Sequence, residues 1–174
     1  MERKAAEAGA SRSPTEAGRQ DVGRDCRREP RLMLYLDTSA LVKKYVQETR
    51  SDAVRELISQ QLSATSTISR AETAAAFSRA VRVGSLSLSN AEACHREFRR
   101  EWKDYIRIRV TEALVARADD LAWSFKLRGY DAVHLAAALE WQDRLGAAVT
   151  LATFDQDLWN VAEDAGLERF PASL

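Results

Sequence analysis

Apolar and polar positions along this chain alternate between two periods. Residues 32–36 form a short, continuous apolar run that stops at Asp37-Thr38-Ser39, the pattern of a buried strand. Residues 40–45 and 51–60 then carry helical spacing. Residues 63–67 are small or β-branched and predict a short strand. Residues 69–83 predict a helix opened by a capping box, with Ser69 at the N-cap and Glu72 three residues on, and closed by Gly84. A further helix starts at Ser89 and runs toward Lys103. Residues 105–110 alternate apolar and charged positions, as a half-buried strand does. Helices follow over 111–127 and 131–145, separated by Arg128-Gly129. Residues 147–153 read as a buried strand, 156–165 as a helix ended by Gly166, and 167–170 as a last short strand. Strands alternating with helices imply an α/β fold of three layers around a mostly parallel sheet.

The first 31 residues break this pattern. They hold three of the seven glycines, mixed charges such as Arg27-Arg28-Glu29, and almost no large apolar side chain. Such a stretch buries too little surface to offset its ordering entropy and is expected to be a disordered tail. Met33 stands where the folded pattern begins and is a candidate translation start. Residues 32–174 are then one domain.

Composition narrows the class. Of 174 residues, 45% are hydrophobic and 30% charged, which suits a globular domain with a real core. A formal net charge of +0 argues against a strong nonspecific polyanion binder, while leaving room for a local basic rim. No apolar run is long enough to span a membrane. The two cysteines, Cys26 and Cys94, make neither a disulfide framework nor a CxxC pair, so a reducing cytoplasm is expected. Two histidines are too few for a His-rich zinc site.

The chemistry rests on acids. Asp37 and Asp155 follow apolar strand-like runs, and Glu72 and Asp131 open helices. In an open parallel sheet, ligands gather beyond the carboxyl ends of the strands, so these carboxylates can converge despite their separation. Convergent carboxylates repel unless a cation sits among them, which asks for a hard divalent metal. Each acid also has a structural explanation. Asp37, Asp131 and Asp155 are good N-cap residues, and Glu72 is accounted for by its capping box. Only the combination favours a site. Asp104, Asp119, Asp120, Asp143, Asp157 and Asp164 look like solvated charges, with Asp157 competing with Asp155 for the fourth place.

Other motifs are missing. There is no GxGxxG, no GxxxxGK[ST] and no GxSxG. Asp37-Thr38-Ser39 lacks the second aspartate of a DxDx[TV] phosphatase signature. His134, one turn after Asp131, shares its face and reads as a packed or supporting residue rather than a metal ligand. Trp102, Trp123, Trp141 and Trp159 read as core or interface residues. Lys43, Lys44, Arg70 and Arg128 lie near the acids in sequence and read as exposed charges.

The segments Leu34-Tyr35-Leu36-Asp37-Thr38-Ser39-Ala40-Leu41-Val42-Lys43, Ser69-Arg70-Ala71-Glu72, Arg128-Gly129-Tyr130-Asp131-Ala132-Val133-His134-Leu135-Ala136 and Thr153-Phe154-Asp155 resemble, in order and spacing, the signature of PIN-domain ribonucleases. The nearest group is the VapC-like toxins of type II toxin–antitoxin pairs. The resemblance covers about residues 33 to 172. It implies a five-stranded parallel sheet flanked by helices. It implies an Mg²⁺- or Mn²⁺-dependent endoribonuclease with Asp37, Glu72, Asp131 and Asp155 as catalytic, metal-binding acids, assisted by a hydroxyl of Thr38, Ser39 or Thr153. It also implies a homodimer held inactive by a cognate antitoxin. The N-terminal extension departs from the compact toxins. Two alternatives stay open at this point: a non-toxic PIN-like RNA-processing or binding module, and an α/β phosphatase with Asp37 as nucleophile.

Overall fold

The computed structural model describes residues 33–174. The expectations for residues 1–31, and for Leu32 as a strand residue, lie outside the described residues. Five strands, β1 (Met33–Leu36), β2 (Leu62–Ser66), β3 (Ile106–Ile108), β4 (Val149–Ala152) and β5 (Glu168–Phe170), form one sheet in the order β3-β2-β1-β4-β5. Every pairing is parallel. The chain first moves outward from β1 through β2 to β3, then crosses back to β4 on the other side of β1. The order therefore reverses between β1 and β4, where parallel α/β sheets open a ligand crevice beyond their carboxyl ends.

Among the described residues, seven α-helices cover the sheet: α1 (Thr38–Tyr45), α2 (Ser51–Ser59), α3 (Ser69–Arg82), α4 (Leu88–Glu101), α5 (Glu112–Phe125), α6 (Gly129–Leu145) and α7 (Gln156–Ala162). Strand alternation divides the core between the two faces of the sheet. Leu34 and Leu36 point into a cluster with Leu41, Phe77, Phe98 and Trp102. Tyr35, between them, points into the other cluster, with Leu135, Leu151 and the alanines of α6. Ala136, Ala137 and Ala138 are fully buried, so α6 is covered on most of its circumference and packs closely between α5 and the sheet. Small side chains permit that approach.

Most elements fall where the hydrophobic pattern puts them, and the differences have local causes. The α1 helix starts at Thr38, two residues before the apolar run, because the Asp37 side chain accepts the Ser39 N–H and caps it. Ser87, rather than Ser89, caps α4. The third strand is only Ile106–Ile108, because Trp102–Asp104 form a 3-10 turn and Thr111 caps α5. Two expectations are corrected. Ser69 is inside α3 and Ile68 takes the N-cap position without a side-chain bond, so the capping box does not form. The Ser69 hydroxyl is paired instead with Thr65 at 2.8 Å. Asp131 does not cap α6, because that helix starts at Gly129 and places Asp131 in its first turn.

Candidate active site

Four segments bring the flagged residues to the carboxyl ends of the strands near the strand reversal. The chain leaving β1 supplies Asp37, Thr38 and Ser39, and the chain leaving β4 supplies Thr153 and Asp155. These two ends are tied together: the Asp37 N–H donates to the Ala152 carbonyl at 3.0 Å, and the Ser39 hydroxyl accepts the Phe154 N–H at 2.7 Å. The first turns of α3 and α6 add Glu72 and Asp131.

Asp37 is buried and well supplied with donors. One of its oxygens accepts the Ser39 hydroxyl at 2.6 Å, the Thr153 hydroxyl at 3.0 Å and the Ser39 N–H at 3.2 Å. Asp155 caps α7 by accepting the Asp157 and Leu158 N–H groups at 3.0 and 3.1 Å. Both aspartates thus keep the capping roles expected of them. Asp157 points outward, with its carboxylate 4.0 Å from Arg128.

Glu72, freed from any capping box, reaches into the site. Its Oε2 accepts the Thr38 hydroxyl at 2.6 Å and the His134 Nε2–H at 2.8 Å. A carboxylate can only accept here, so His134 carries a proton on Nε2. The same nitrogen lies 3.4 Å from Asp37 Oδ1, and Nδ1 lies 3.0 Å from the Tyr35 hydroxyl. Burial of this imidazole lowers its pKa, but the charges of Asp37, Glu72 and Asp131 and the hydrogen bond to Glu72 outweigh that effect and hold it above its ordinary value. Burial likewise raises Glu72, yet the hydrogen bond and charge of His134, with the Thr38 hydroxyl, bring its carboxyl below the ordinary value. Tyr35 is raised well above its ordinary range by burial, then by Asp37 and Glu72.

Asp131 is the opposite case. Its Oδ2 is buried and has no hydrogen-bond partner. Burial, and then the charges of Asp155 and Asp37, push its pKa up to about 6. Asp131 therefore senses the charges of two other acids, and one of its oxygens has no hydrogen-bond donor to balance it. Among the described residues, no three acidic, histidine or cysteine side chains are already drawn up around a common point for a metal ion. The residues nevertheless fit a hard cation: an unpartnered carboxylate oxygen, all-oxygen donors and mutual repulsion are what such an ion relieves.

The structure links Asp37 and Glu72 through His134, the charges of Asp155 and Asp37 act on Asp131, and all three flagged hydroxyls bind carboxylates. Three of the four flagged bases are otherwise engaged, Arg128 with Asp157 at 4.0 Å. Lys43 pairs with Glu48 and lies over the Phe154 ring, and Lys44 pairs with Glu101 and Tyr105. Sequence reasoning did not single out Tyr35, and gave His134 only a general supporting role. The Asp131–His134 spacing was the available signal for His134. For Tyr35 it was its position two residues before Asp37 on the same strand face.

A family model described as the PIN domain matches residues 34–164. The chain belongs to the PIN-domain family. Within it, the similar curated proteins are ribonucleases named VapC. Ribonuclease VapC45 of Mycobacterium tuberculosis is 32% identical over 143 residues, which span 82% of this chain and 97% of that protein. Ribonuclease VapC46 of the same species is 32% identical over 136 residues, 77% of this chain and 93% of its own. Solved structures share the fold of this PIN domain at low identity. M. tuberculosis VapC20, a toxin described as cleaving the sarcin–ricin loop, superposes with a TM-score of 0.55 at 18% identity, covering 77% of this chain and 95% of that one. The FitAB complex bound to a DNA fragment gives 0.56 at 17% identity, covering 79% and 94%.

Proposed function

We propose that this PIN domain is an Mg²⁺- or Mn²⁺-dependent endoribonuclease, the toxin of a type II toxin–antitoxin pair, working at Asp37, Glu72, Asp131 and Asp155. The observation that carries the reading is the buried, unpartnered Asp131 oxygen, on a carboxyl that burial and the charges of Asp155 and Asp37 act on. The family and the VapC ribonucleases at 32% identity support the choice of RNA. A divalent cation bound there would polarise the scissile phosphate and lower the pKa of an attacking water. The chain's own contribution is positional. Ser39 and Thr153 fix the Asp37 carboxylate, the α7 N-terminus fixes Asp155, and Thr38 with His134 fixes Glu72. Hydrolysis proceeds by in-line displacement without a covalent enzyme intermediate. Accessible single strands or loops are the favoured substrates, since their phosphates and bases can be splayed into an open crevice.

Two surfaces support the proposed partners. The groove between α3 and α4, about 360 Å³ and floored by Phe77, Val81 and Ala91, suits an apolar antitoxin helix. The face shared by α5 and α6 exposes Val115, Tyr130 and Trp123, the last at 89%, and suits a second copy of the chain. Solved structural neighbours include a toxin–antitoxin complex from Klebsiella pneumoniae.

Cleavage of single-stranded RNA by purified protein, dependent on Mg²⁺ or Mn²⁺ and abolished by chelation, tests the activity. Growth arrest on expression, relieved by a neighbouring antitoxin gene, tests the toxin role. A folded, metal-loaded protein that cuts no RNA refutes the nuclease reading.

A further inference from the structure

We infer that Arg70 and Arg109 together hold a phosphate of the RNA strand flanking the bond that is cut, and so fix how the strand lies across the carboxyl ends of β1, β2 and β3. This rests on the nuclease reading above and names how its substrate is held.

The sheet sets the two arginines beside the acids. Tyr35 is level with Ala64, and Ala64 with Ile106. Two residues further on, Asp37 leaves β1 at the height where β3 ends at Ile108, and Arg109 follows at once. With β2 between them, the two segments leave the sheet about 10 Å apart, at about 4.8 Å per strand spacing. Thr67 ties the second arginine to the first. Its N–H donates to the Ile108 carbonyl at 2.9 Å, its hydroxyl accepts the Val110 N–H at 3.4 Å, and its carbonyl accepts the Arg70 N–H at 3.4 Å. Ile106 and Ile108 turn toward the α5–α6 side of the sheet, so the same alternation turns Arg109 to the side covered by α3.

Both arginines are exposed, and among the described residues neither has an ion-pair partner. Arginines elsewhere do: Arg55 pairs with Asp52, Arg117 with Asp143 and Arg169 with Glu163. Arg70 is also poorly placed for helix stability. It lies in the first turn of α3, where the helix dipole favours anions, and Ile68 at the N-cap supplies no side-chain bond. A phosphate there offsets both the cation and the helix end, and arginine takes phosphate oxygens through paired N–H groups. Charge on an edge strand also deters pairing with other chains, but that role asks nothing of Arg70 and predicts no change in RNA binding.

The test measures kcat and KM of the full chain for a single-stranded RNA with Mn²⁺. Beside it, binding of the same labelled RNA is read by anisotropy in EDTA, from about 50 to about 200 mM salt. Arg70→Gln and Arg109→Gln each raise KM and weaken binding by about 3–10-fold and leave kcat within about twofold. Each also flattens the log–log salt dependence of binding by about 0.7, the share of one phosphate contact on a single strand. Arg79→Gln, exposed on the same helix, is the control and changes neither. The losses are equal for oligo(A) and oligo(U), since a phosphate carries no sequence. The melting temperature of Arg70→Gln holds or rises, because a cation leaves the first turn. Parent-like KM and salt slope in both variants overturn the inference. So does an equal loss in Arg79→Gln, the mark of a diffuse field rather than a site, or a loss confined to one base sequence. The expected binding pattern in a parent that cuts no RNA sinks the nuclease reading alone. A parent that neither binds nor cuts RNA overturns both.

Discussion

The two sides of the acidic crevice differ in how their charge is balanced. On the side of α3, Glu72 has two donors on one oxygen and a histidine behind them, and its carboxyl is held below its ordinary pKa. On the side of the α6 first turn, Asp131 has a buried oxygen with no donor, and its carboxyl is pushed up to about 6. The first side is complete as folded protein. The second leaves a buried carboxylate oxygen without a donor. A cluster of acids is therefore not uniform, and the residue that lacks a partner says more about the expected ligand than the residues that have one.

The contrast can be broken most severely at the unbalanced side. Asp131→Asn and Asp37→Asn are expected to stay folded and to lose nearly all RNA cleavage. Asp155→Asn should lose much of it, since Asn preserves the α7 cap but not the charge. Full activity in Asp37→Asn or Asp131→Asn would refute the metal site.

The stabilities of the metal-free protein should move in opposite directions on the two sides. Tyr35→Phe leaves His134 Nδ1 without its buried partner and is expected to cost about 1–3 kcal/mol in urea unfolding. Asp131→Asn removes an uncompensated charge and should raise the melting temperature at pH 7. A lower melting temperature in Asp131→Asn would mean that this carboxylate is balanced after all.

The pH dependence sharpens the same point. The folded pKa of Asp131 lies above its ordinary 3.8, so the folded state holds this proton more tightly. Its contribution to stability is fully present below 3.8 and is lost as pH rises through about 6. Glu72 has the opposite sign, because its pKa is depressed: its contribution is present above 4.5 and is lost as pH falls through the lower folded value. The melting-temperature gap between Asp131→Asn and the parent should therefore open between pH 4 and 7, and Mn²⁺ should close it by stabilising the parent. A gap that stays constant across that range would remove Asp131 as the titrating group. The smallest effect is expected at Asp157, whose outward carboxylate faces Arg128 at 4.0 Å: Asp157→Asn should cleave RNA almost as the parent does. A strong loss there, with a silent Asp155→Asn, would exchange the two residues.

How much of this was legible in the sequence varies by residue. Asp37 and Asp155 were readable because a strand end and a cap coincide at each, and the structure keeps both. The parallel sheet was readable from the alternation of short apolar runs with helices. Glu72 was given the wrong local role. Ser69-Arg70-Ala71-Glu72 satisfies the capping-box pattern, but Thr65, buried on β2, takes the Ser69 hydroxyl, and the helix starts differently. Asp131 looked like a cap because Arg128-Gly129 reads as a break, whereas Gly129 begins the helix. The His134–Glu72 bond joins residues 62 positions apart on different helices, and no local pattern encodes such a meeting.

The central place of β1 has a consequence for synthesis. Met33–Leu36 pairs with Val149–Ala152, so the strand made first waits for one made 116 residues later. The Thr153 hydroxyl that fixes Asp37 and the carbonyl that receives its N–H arrive only with that late segment. A nascent chain stalled before β4 can carry Asp37, Glu72 and Asp131 but cannot seat them, because the sheet still lacks the strand that closes the crevice. Domains complete their packing once their last long-range partners are available. The acidic centre can therefore be seated only after β4 and the Thr153–Asp155 segment have been made.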